Sequence, residues 1–321
     1  MDQLKLKFVV EASEAESISQ QLGLPSVRHL LPVLVERAQS LARPPISNYH
    51  VGAVGLGSDG RLFLGVNLEF PGLPLNNSVH AEQFLLTNLA VHHCPGLLAF
   101  AVSAAPCGHC RQFLQELRNP CSLQIHITSQ HHQNDVTFEP LREILPNPFG
   151  PFDLLDDETP LLLERHNNGL SLLDHDHDHD GGDLCNGFSD PQSKRVNGVL
   201  NSTLVKIAAL EAANNSHAPY SGCPSGVAIM DCDGKIYKGS YVESAAYNPS
   251  LGPVQAALVA FVAGGGGGYE RIVAAALVEK ETANVRQEDT ARLSLKLISP
   301  QCPLTVFHCC SFAEKNGCKK D

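Results

Sequence analysis

Four residues in two short segments have the types and spacing of a catalytic zinc site. One segment reads SVHAEQ and places His80 two residues before Glu82, and the other reads APCGHCRQF and places Cys107 three residues before Cys110. One imidazole and two thiolates can bind zinc while leaving the fourth position to water. Glu82 lies beside the imidazole and could transfer protons to and from that water. The joint pattern therefore predicts hydrolytic chemistry at a zinc ion.

Both segments are predicted to begin helices, which would bring the four side chains together. A helix is expected from Val79, with Ser78 as its N-cap and apolar residues recurring on one face. Pro106 precedes the cysteine pair and suits the start of a second helix. Backbone N–H groups at such a start favour thiolates. Two helix starts that face each other would hold one metal ion between them.

A Cys-x-x-Cys pair on its own has other interpretations. It could belong to a structural zinc site, with His109 or Cys121 as a fourth ligand, or it could be a redox pair. A redox pair does not require an H-x-E segment, and a structural site requires four protein ligands. The complete pattern, H-x-E followed by P-C-x-x-C, is typical of zinc-dependent nucleobase deaminases.

Composition excludes several classes of partner. The chain has 321 residues, enough for two domains, and 23 basic against 34 acidic residues give a net charge of -11. This balance argues against nucleic acid as a partner. The sequence has no apolar run of the roughly 18 residues that a membrane span needs, and early acidic residues argue against a signal peptide. The 11 cysteines fit reduced thiols in the cytosol better than a disulfide framework.

The chain contains an internal repeat. The segment ISNYHVGAVGLGSDGRLFLGVNLEF reappears as YSGCPSGVAIMDCDGKIYKGSYVES with a constant offset. Among the matched positions are Gly65 with Gly239 and Glu69 with Glu243. Self-similarity of this kind indicates a duplicated domain.

The second copy lacks all four chemical positions of the first. One inserted residue beyond the matched segment, His80, Glu82, Cys107 and Cys110 align in turn with Gln255, Ala257, Thr282 and Val285. We therefore expect the second copy to bind no zinc and to act structurally, either by packing on the first copy or at an oligomer interface.

Each copy shows the pattern of a layered α/β domain. A predicted hairpin is followed by a helix, a buried strand and another helix, so we expect tandem three-layer α/β/α domains with a mixed sheet. The expected divisions are an N-terminal helical region (1–45), a catalytic domain (46–155), an acidic flexible linker (156–195) and a degenerate domain (196–321). The linker contains the alternating tract DHDHDHD, from Asp174 to Asp180, which is read as solvated low-complexity chain.

The chain resembles the two-domain, homodimeric cytidine deaminases over almost its whole length. The matching segments are SNYHVGA, GVNLEF, SVHAEQ, APCGHCRQFLQEL, ILPNPFGPFDLL, YSGCPSGVA and ESAAYNPSLGPVQAAL, the last of which looks plant-like. The resemblance implies one zinc ion per chain, in the first copy only, and a homodimer. It also implies hydrolysis of cytidine and 2′-deoxycytidine to uridine and 2′-deoxyuridine plus ammonia, a reaction of pyrimidine salvage.

The same resemblance implies a set of substrate-binding residues. Asn67 and Glu69 would hold the ribose hydroxyls, with Leu68 between them, and the Glu69 carboxylate would repel a phosphate and so favour a free nucleoside. The remaining residues are Tyr49 beside the pyrimidine ring, the Ala81 backbone N–H at the ring, and Phe149 in the neighbouring subunit's site. A core tyrosine and a domain-edge turn are the structural alternatives for Tyr49 and Phe149.

Three other functions are considered. A deaminase acting on RNA or DNA would need a basic groove or stacking aromatics, and the negative charge and the lack of tryptophan oppose it. A catalytically inactive paralogue would bind ligands without turnover. A purely structural zinc domain would have four protein ligands and no exchangeable water.

Overall fold

A computed structural model describes residues 7–130, 136–173 and 191–311, with side chains described from residue 202 onward in the last range. The tract from Asp174 to Asp180, and with it much of the expected linker, lies outside the described residues. In the part described, no helix has the length and apolar character needed to cross a bilayer. Every cysteine described is a free thiol.

The first half of the chain forms a six-stranded mixed sheet with helices on both faces. Its elements are β1 (Val9–Val10), α1 (Ala12–Gln21), α2 (Val27–Gln39), β2 (Gly52–Gly57), β3 (Leu62–Val66), α3 (Ala81–Val91), β4 (Leu97–Val102), α4 (Gly108–Phe113), β5 (Gln124–Ile127), β6 (Glu139–Pro140) and α5 (Leu141–Ile144). The strand order is β1-β3-β2-β4-β5-β6. Only β4 and β5 are parallel neighbours, since the other adjacent pairs run antiparallel.

The second half repeats this arrangement. Its elements are β7 (Leu170–Leu172), α6 (Pro191–Asn214), β8 (Ser225–Asp231), β9 (Ile236–Ser240), α7 (Pro253–Ala263), β10 (Ile272–Lys280), α8 (Glu288–Ile298) and β11 (Leu304–Ser311). The sheet order is β7-β11-β10-β8-β9, and β10 and β11 are parallel. The order β9-β8-β10-β11 reproduces β3-β2-β4-β5 of the first sheet, with the same strand directions. The predicted tandem α/β duplication is therefore confirmed.

The two halves share one hydrophobic core. Helices α1 and α2 cover the outer face of the first sheet, and α6 covers the outer face of the second. Between the sheets, α3 packs against α7, and buried Phe84, Leu86, Leu258 and Phe261 belong to a single apolar cluster. Because this cluster draws on both copies, the inner helix of the degenerate copy supports the inner helix of the first.

Glycines that match in the repeat let helix backbones contact the sheets. A Cβ on Gly65 in β3 would lie 2.2 Å from the Ala81 carbonyl oxygen, and one on Gly239 in β9 would lie 2.1 Å from the Ala257 nitrogen. No other residue type lacks this atom, so only glycine permits the approach. Gly65 therefore sets how closely the first turn of α3 lies on the sheet.

Candidate metal centre

The metal-ligating side chains come from the starts of α3 and α4. His80 is the N-cap of α3, Cys107 is the N-cap of α4, and Cys110 lies in the first turn of α4. Helix α4 begins directly after Pro106 and Cys107, as the sequence predicts. Helix α3 begins later than predicted, so Ser78 is not its N-cap.

The late start of α3 has a local cause. Val79 is held in extended conformation by two backbone hydrogen bonds with Leu68, each of 2.9 Å. This pairing postpones the helix by two residues. It also joins the Asn67-Leu68-Glu69 segment to the residue before His80, so the predicted sugar-binding residues lie next to the predicted metal ligand.

The three donor atoms have the spacing of one coordination tetrahedron. His80 Nδ1 lies 3.5 Å from Cys107 Sγ and 3.3 Å from Cys110 Sγ, and the two sulfurs are 3.7 Å apart. Zinc bound at about 2.3 Å from sulfur and about 2.0 Å from nitrogen would place two sulfurs about 3.8 Å apart and sulfur and nitrogen about 3.5 Å apart. The residues therefore fit zinc without rearrangement.

The electrostatics of the cysteine pair also suit a cation. Hydrogen bonds from Cys110 and then from His80 lower the pKa of Cys107 to about 3. The Cys107 sulfur, followed by burial, raises the pKa of Cys110. Ligation of a divalent metal by both sulfurs would therefore release the proton that the raised pKa of Cys110 favours.

Glu82 lies beside the ligand set but outside it. Its side chain is 4% exposed, and its Oε2 is 3.2 Å from Cys110 Sγ. Burial raises the pKa of this carboxyl above its usual value. A buried carboxyl with a raised pKa can both accept and return a proton near neutral pH.

His109 is the fourth potential donor near this site. A ring nitrogen of His109 lies within 4.8 Å of the donor atoms of His80, Cys107 and Cys110. Its Nε2 is hydrogen-bonded to the Asn248 carbonyl at 3.3 Å. Its Nδ1 is buried and has no hydrogen-bond partner in the structure. Coordination by His109 would close the site against water, so this residue separates the catalytic from the structural interpretation.

The Glu69 carboxylate is already engaged by the chain. Its Oε2 accepts the backbone N–H groups of Ile46 and Ser47 at 2.8 and 2.9 Å, and its Oε1 accepts the Ser47 hydroxyl at 2.6 Å. Burial works to raise the pKa of Glu69, but these hydrogen bonds outweigh it and lower the pKa. A carboxylate has about four acceptor positions, so one remains for a sugar hydroxyl.

Asn67 has a similar double role. Its Oδ1 accepts the Val51 N–H at 2.8 Å, and its Nδ2 donates to the Tyr49 carbonyl at 2.9 Å. The Asn67 amide therefore fixes the backbone between Tyr49 and Val51, directly before β2. Leu68, between Asn67 and Glu69, is fully buried.

The remaining predicted residues lie at different levels of exposure. The Tyr49 side chain is 62% exposed, so the alternative of a core tyrosine is wrong. Ala81 is the first residue of α3 and is buried, and its N–H is among those that no helical carbonyl accepts. Phe149 is 46% exposed, and its carbonyl accepts a hydrogen bond from Gln112 beside the metal ligands.

Sequence reasoning missed the contribution of the second copy to this site. Gln83, in the first turn of α3, donates to the Pro249 carbonyl at 3.0 Å, and His109 contacts the carbonyl of Asn248. Because backbone carbonyls accept these hydrogen bonds, no residue type in the second copy predicts them. The segment AAYNPSL contributes to the family resemblance but does not indicate these contacts.

The family models and the relatives that match this chain all describe cytidine deaminases. Residues 27–122 and 141–292 each match a family model described as the cytidine and deoxycytidylate deaminase zinc-binding region. "Cytidine deaminase 1" of Arabidopsis thaliana is 57% identical over 95% of this chain and 98% of its own. "Probable inactive cytidine deaminase 4" of the same organism is 40% identical over 97% of this chain and 98% of its own.

Among solved structures, cytidine deaminase from Mycobacterium tuberculosis is 31% identical, covering 38% of this chain and 95% of that chain with a TM-score of 0.33. The two matched regions, the zinc-fitting donor set and the full-length relatives agree. This chain belongs to the cytidine deaminase family.

Proposed function

We propose that this protein hydrolyses cytidine and 2′-deoxycytidine to uridine and 2′-deoxyuridine with release of ammonia. The observation that carries the proposal is the set of His80, Cys107 and Cys110 donor atoms at zinc-like separations with the buried Glu82 beside them. When bound there, zinc would lower the pKa of a coordinated water towards about 7.

Glu82 is the proposed proton carrier. It accepts a proton from the attacking water and delivers it to N3 of the pyrimidine as oxygen bonds to C4. It then takes the proton of the new C4 hydroxyl and delivers it to the amino group. The C4–N bond breaks, the C4 carbonyl forms and ammonia leaves. Burial raises the pKa of this carboxyl above its usual value, which favours one group that both accepts and returns a proton.

The proposed sugar subsite favours a free nucleoside. Glu69 keeps one acceptor position for a ribose hydroxyl, and Asn67 and Leu68 hold it next to α3. A phosphate on the same sugar would meet the Glu69 carboxylate. Exposed Tyr49 is proposed to lie along the pyrimidine ring, with the Ala81 N–H directed to the ring's polar edge.

We also propose that the active form is a homodimer in the cytosol. Phe149, Phe152 and Leu154 are large apolar side chains that are 46%, 47% and 50% exposed within one short segment. A second copy of the chain would cover them. In this arrangement Phe149 would complete the partner's nucleoside site. The division of the chain at residues 46, 156 and 196 is likewise proposed, although β7 (Leu170–Leu172), inside the expected linker, pairs with β11 of the second sheet, and α6 (Pro191–Asn214) crosses residue 196.

One rival deserves a direct test, because a relative carries "probable inactive" in its name. An inactive binding protein would hold zinc without turnover. Here, however, the first copy retains the three ligands, Glu82 and the NLE segment. A structural site closed by His109 would likewise lack turnover.

The test is a substrate panel with a matched variant. Purified protein, with zinc measured, is incubated with cytidine, 2′-deoxycytidine, cytidine monophosphate and a cytosine-containing oligonucleotide, and ammonia and ultraviolet absorbance are followed. We expect turnover of the two nucleosides only, and in Glu82→Gln a fall in kcat of about 10²-fold or more with zinc retained. A zinc-loaded wild type that is silent on both nucleosides would refute the proposal, and substantial activity in Glu82→Gln would refute the proton-carrier role.

A further inference from the structure

Residues 244–251, the loop before α7 in the second copy, contact the start of α3 in the first. The Gln83 amide makes the connection: its Oε1 accepts the His80 backbone N–H at 3.2 Å, and its Nε2 donates to the Pro249 carbonyl at 3.0 Å. Gln83 is almost fully buried. One side chain therefore ties the backbone of a metal ligand to the second copy.

The same loop contacts the start of α4. His109, between the two cysteines, has its Nε2 3.3 Å from the Asn248 carbonyl. A carbonyl only accepts hydrogen bonds, so Nε2 carries the proton. The His109 ring also lies against the His80 ring, with 5.2 Å between centroids. The adjacent carbonyls of Asn248 and Pro249 thus hold the starts of α4 and α3, the two metal-bearing turns that carry the predicted zinc ligands.

A buried carboxylate anchors the beginning of this loop. Glu116 follows α4 and is fully buried. It accepts the Ala245 N–H at 2.8 Å, the Tyr220 hydroxyl at 2.7 Å and His217 Nε2 at 3.0 Å. All three partners belong to the second copy. Since unpaired buried carboxylates are costly, this set of bonds gives the loop one position relative to α4.

Between these contacts the backbone adopts a conformation that its residue disfavours. Tyr247 has φ of 61° and is largely exposed. A bulky residue rarely takes this left-handed conformation unless its surroundings impose it. The contacts at Ala245, Asn248 and Pro249, on either side of Tyr247, provide that constraint.

We infer that residues 244–251 of the second copy position the two metal-bearing turns of the first copy. The copy that has lost its own chemistry would thereby support the zinc ligands, and Gln83, His109 and Glu116 would be positioning residues. This inference rests on the proposed zinc site. Outer-shell contacts of this kind typically affect metal affinity or activity by about 10- to 100-fold.

The test changes the loop without touching a ligand. Tyr247→Val disfavours the left-handed backbone conformation, whereas Tyr247→Asn tolerates it. The matched control is His93→Val, because His93 is also exposed with positive φ (52°) but follows the other end of α3. The readouts are zinc transfer to a chromogenic chelator, the visible spectrum of the cobalt-substituted protein, and kcat and KM for cytidine.

We expect Tyr247→Val to release zinc about tenfold faster, to shift the cobalt bands and to lower kcat with KM within about twofold. Tyr247→Asn and His93→Val should match the wild type in all three. Gln83→Met removes both the link to Pro249 and the acceptor of the His80 N–H, so it should reproduce the Tyr247→Val effects. Unchanged zinc release in Gln83→Met would overturn the inference even if Tyr247→Val does not fold.

The inference would be overturned if Tyr247→Val and Gln83→Met both showed the cobalt spectrum and the zinc release rate of the wild type. Equal effects in Tyr247→Val and His93→Val would do the same, because they would indicate general destabilisation. Zinc release and the cobalt spectrum do not depend on turnover. A protein that fails to deaminate cytidine would therefore refute the proposed function while leaving this inference to be decided separately.

Discussion

A single methyl group at Gly65 should displace the start of α3, where His80 and Glu82 lie. Alanine at this position would place its Cβ 2.2 Å from the Ala81 carbonyl oxygen and 2.8 Å from the Leu85 nitrogen. Both neighbours are backbone atoms of α3, so neither can move aside by changing rotamer. Gly65→Ala can be accommodated only by moving the helix start away from β3, together with His80 and Glu82.

The size of the displacement follows from the contact distance. An ordinary Cβ contact is 3.4 Å or longer, so the first turn of α3 must move by about 1 Å. A misplacement of about 1 Å can cost about 10² in rate, and overpacking typically costs about 1–3 kcal/mol in the free energy of unfolding. We expect a loss of roughly 10²-fold in kcat per zinc-loaded protein with a moderately lower melting temperature.

Gly226→Ala is the matched control. Its Cβ would lie 2.2 Å from the Ala213 nitrogen, so the clash is equally severe, but the displaced helix is α6 on the outer face of the second sheet. Kinetics of cytidine turnover, zinc content and thermal unfolding are measured for both variants. The reasoning is refuted if Gly65→Ala retains kcat within about threefold, or if both variants lose kcat equally at equal loss of stability.

Three further predictions concern single side chains. His109→Gln keeps a side-chain N–H that can donate to the Asn248 carbonyl, so it should keep one zinc per chain and most of the turnover, as measured by metal analysis and kinetics, whereas His80→Ala should lose the metal. Loss of zinc from His109→Gln would indicate a closed four-ligand site. Glu69→Gln should raise KM for cytidine by about tenfold or more, since a hydrogen bond to a charged group contributes about 1.5–3 kcal/mol; Glu243→Gln, which removes the same kind of carboxylate in the second copy, should leave KM unchanged. Burial lowers the pKa of His166 from 6.5 to about 4, so the unfolded chain binds the proton before the folded chain does as pH falls. The contribution of neutral His166 to stability is therefore complete above about pH 6.5 and is lost towards pH 4. His166→Gln should show a shallower fall in thermal midpoint over that range.

The chemistry of the site was predictable because it depends on residue types at fixed spacing. His80, Cys107 and Cys110 converge in the structure at distances that fit zinc. The duplicated fold was predictable because turn and glycine positions recur with one offset. The start of α3 was not, since the pairing of Val79 with Leu68 is a long-range backbone contact that overrides the local helix pattern.

The hydrogen bonds that Glu69 accepts from its own chain were also not predictable from the sequence pattern. The motif identifies a carboxylate but not its partners, and Ile46 and Ser47 occupy most of its acceptor positions. The contacts of Gln83 and His109 with the second copy involve main-chain carbonyls, which leave no signature in residue identity. The sequence thus predicts candidate site residues, but it does not predict the atoms that orient them.

The second copy retains more of the site's framework than its lost ligands suggest. Glu243 accepts the N–H groups of Tyr220 and Ser221 and the Ser221 hydroxyl, the same pattern that Glu69 makes in the first copy. Val242 pairs with Leu251 as Leu68 pairs with Val79. Zinc chemistry needs a few side chains, but the loop that precedes α7 needs this whole hydrogen-bonded frame to keep its position. If that loop supports the first copy's metal turns, disrupting the frame would impair catalysis even though the ligands of its own copy are gone.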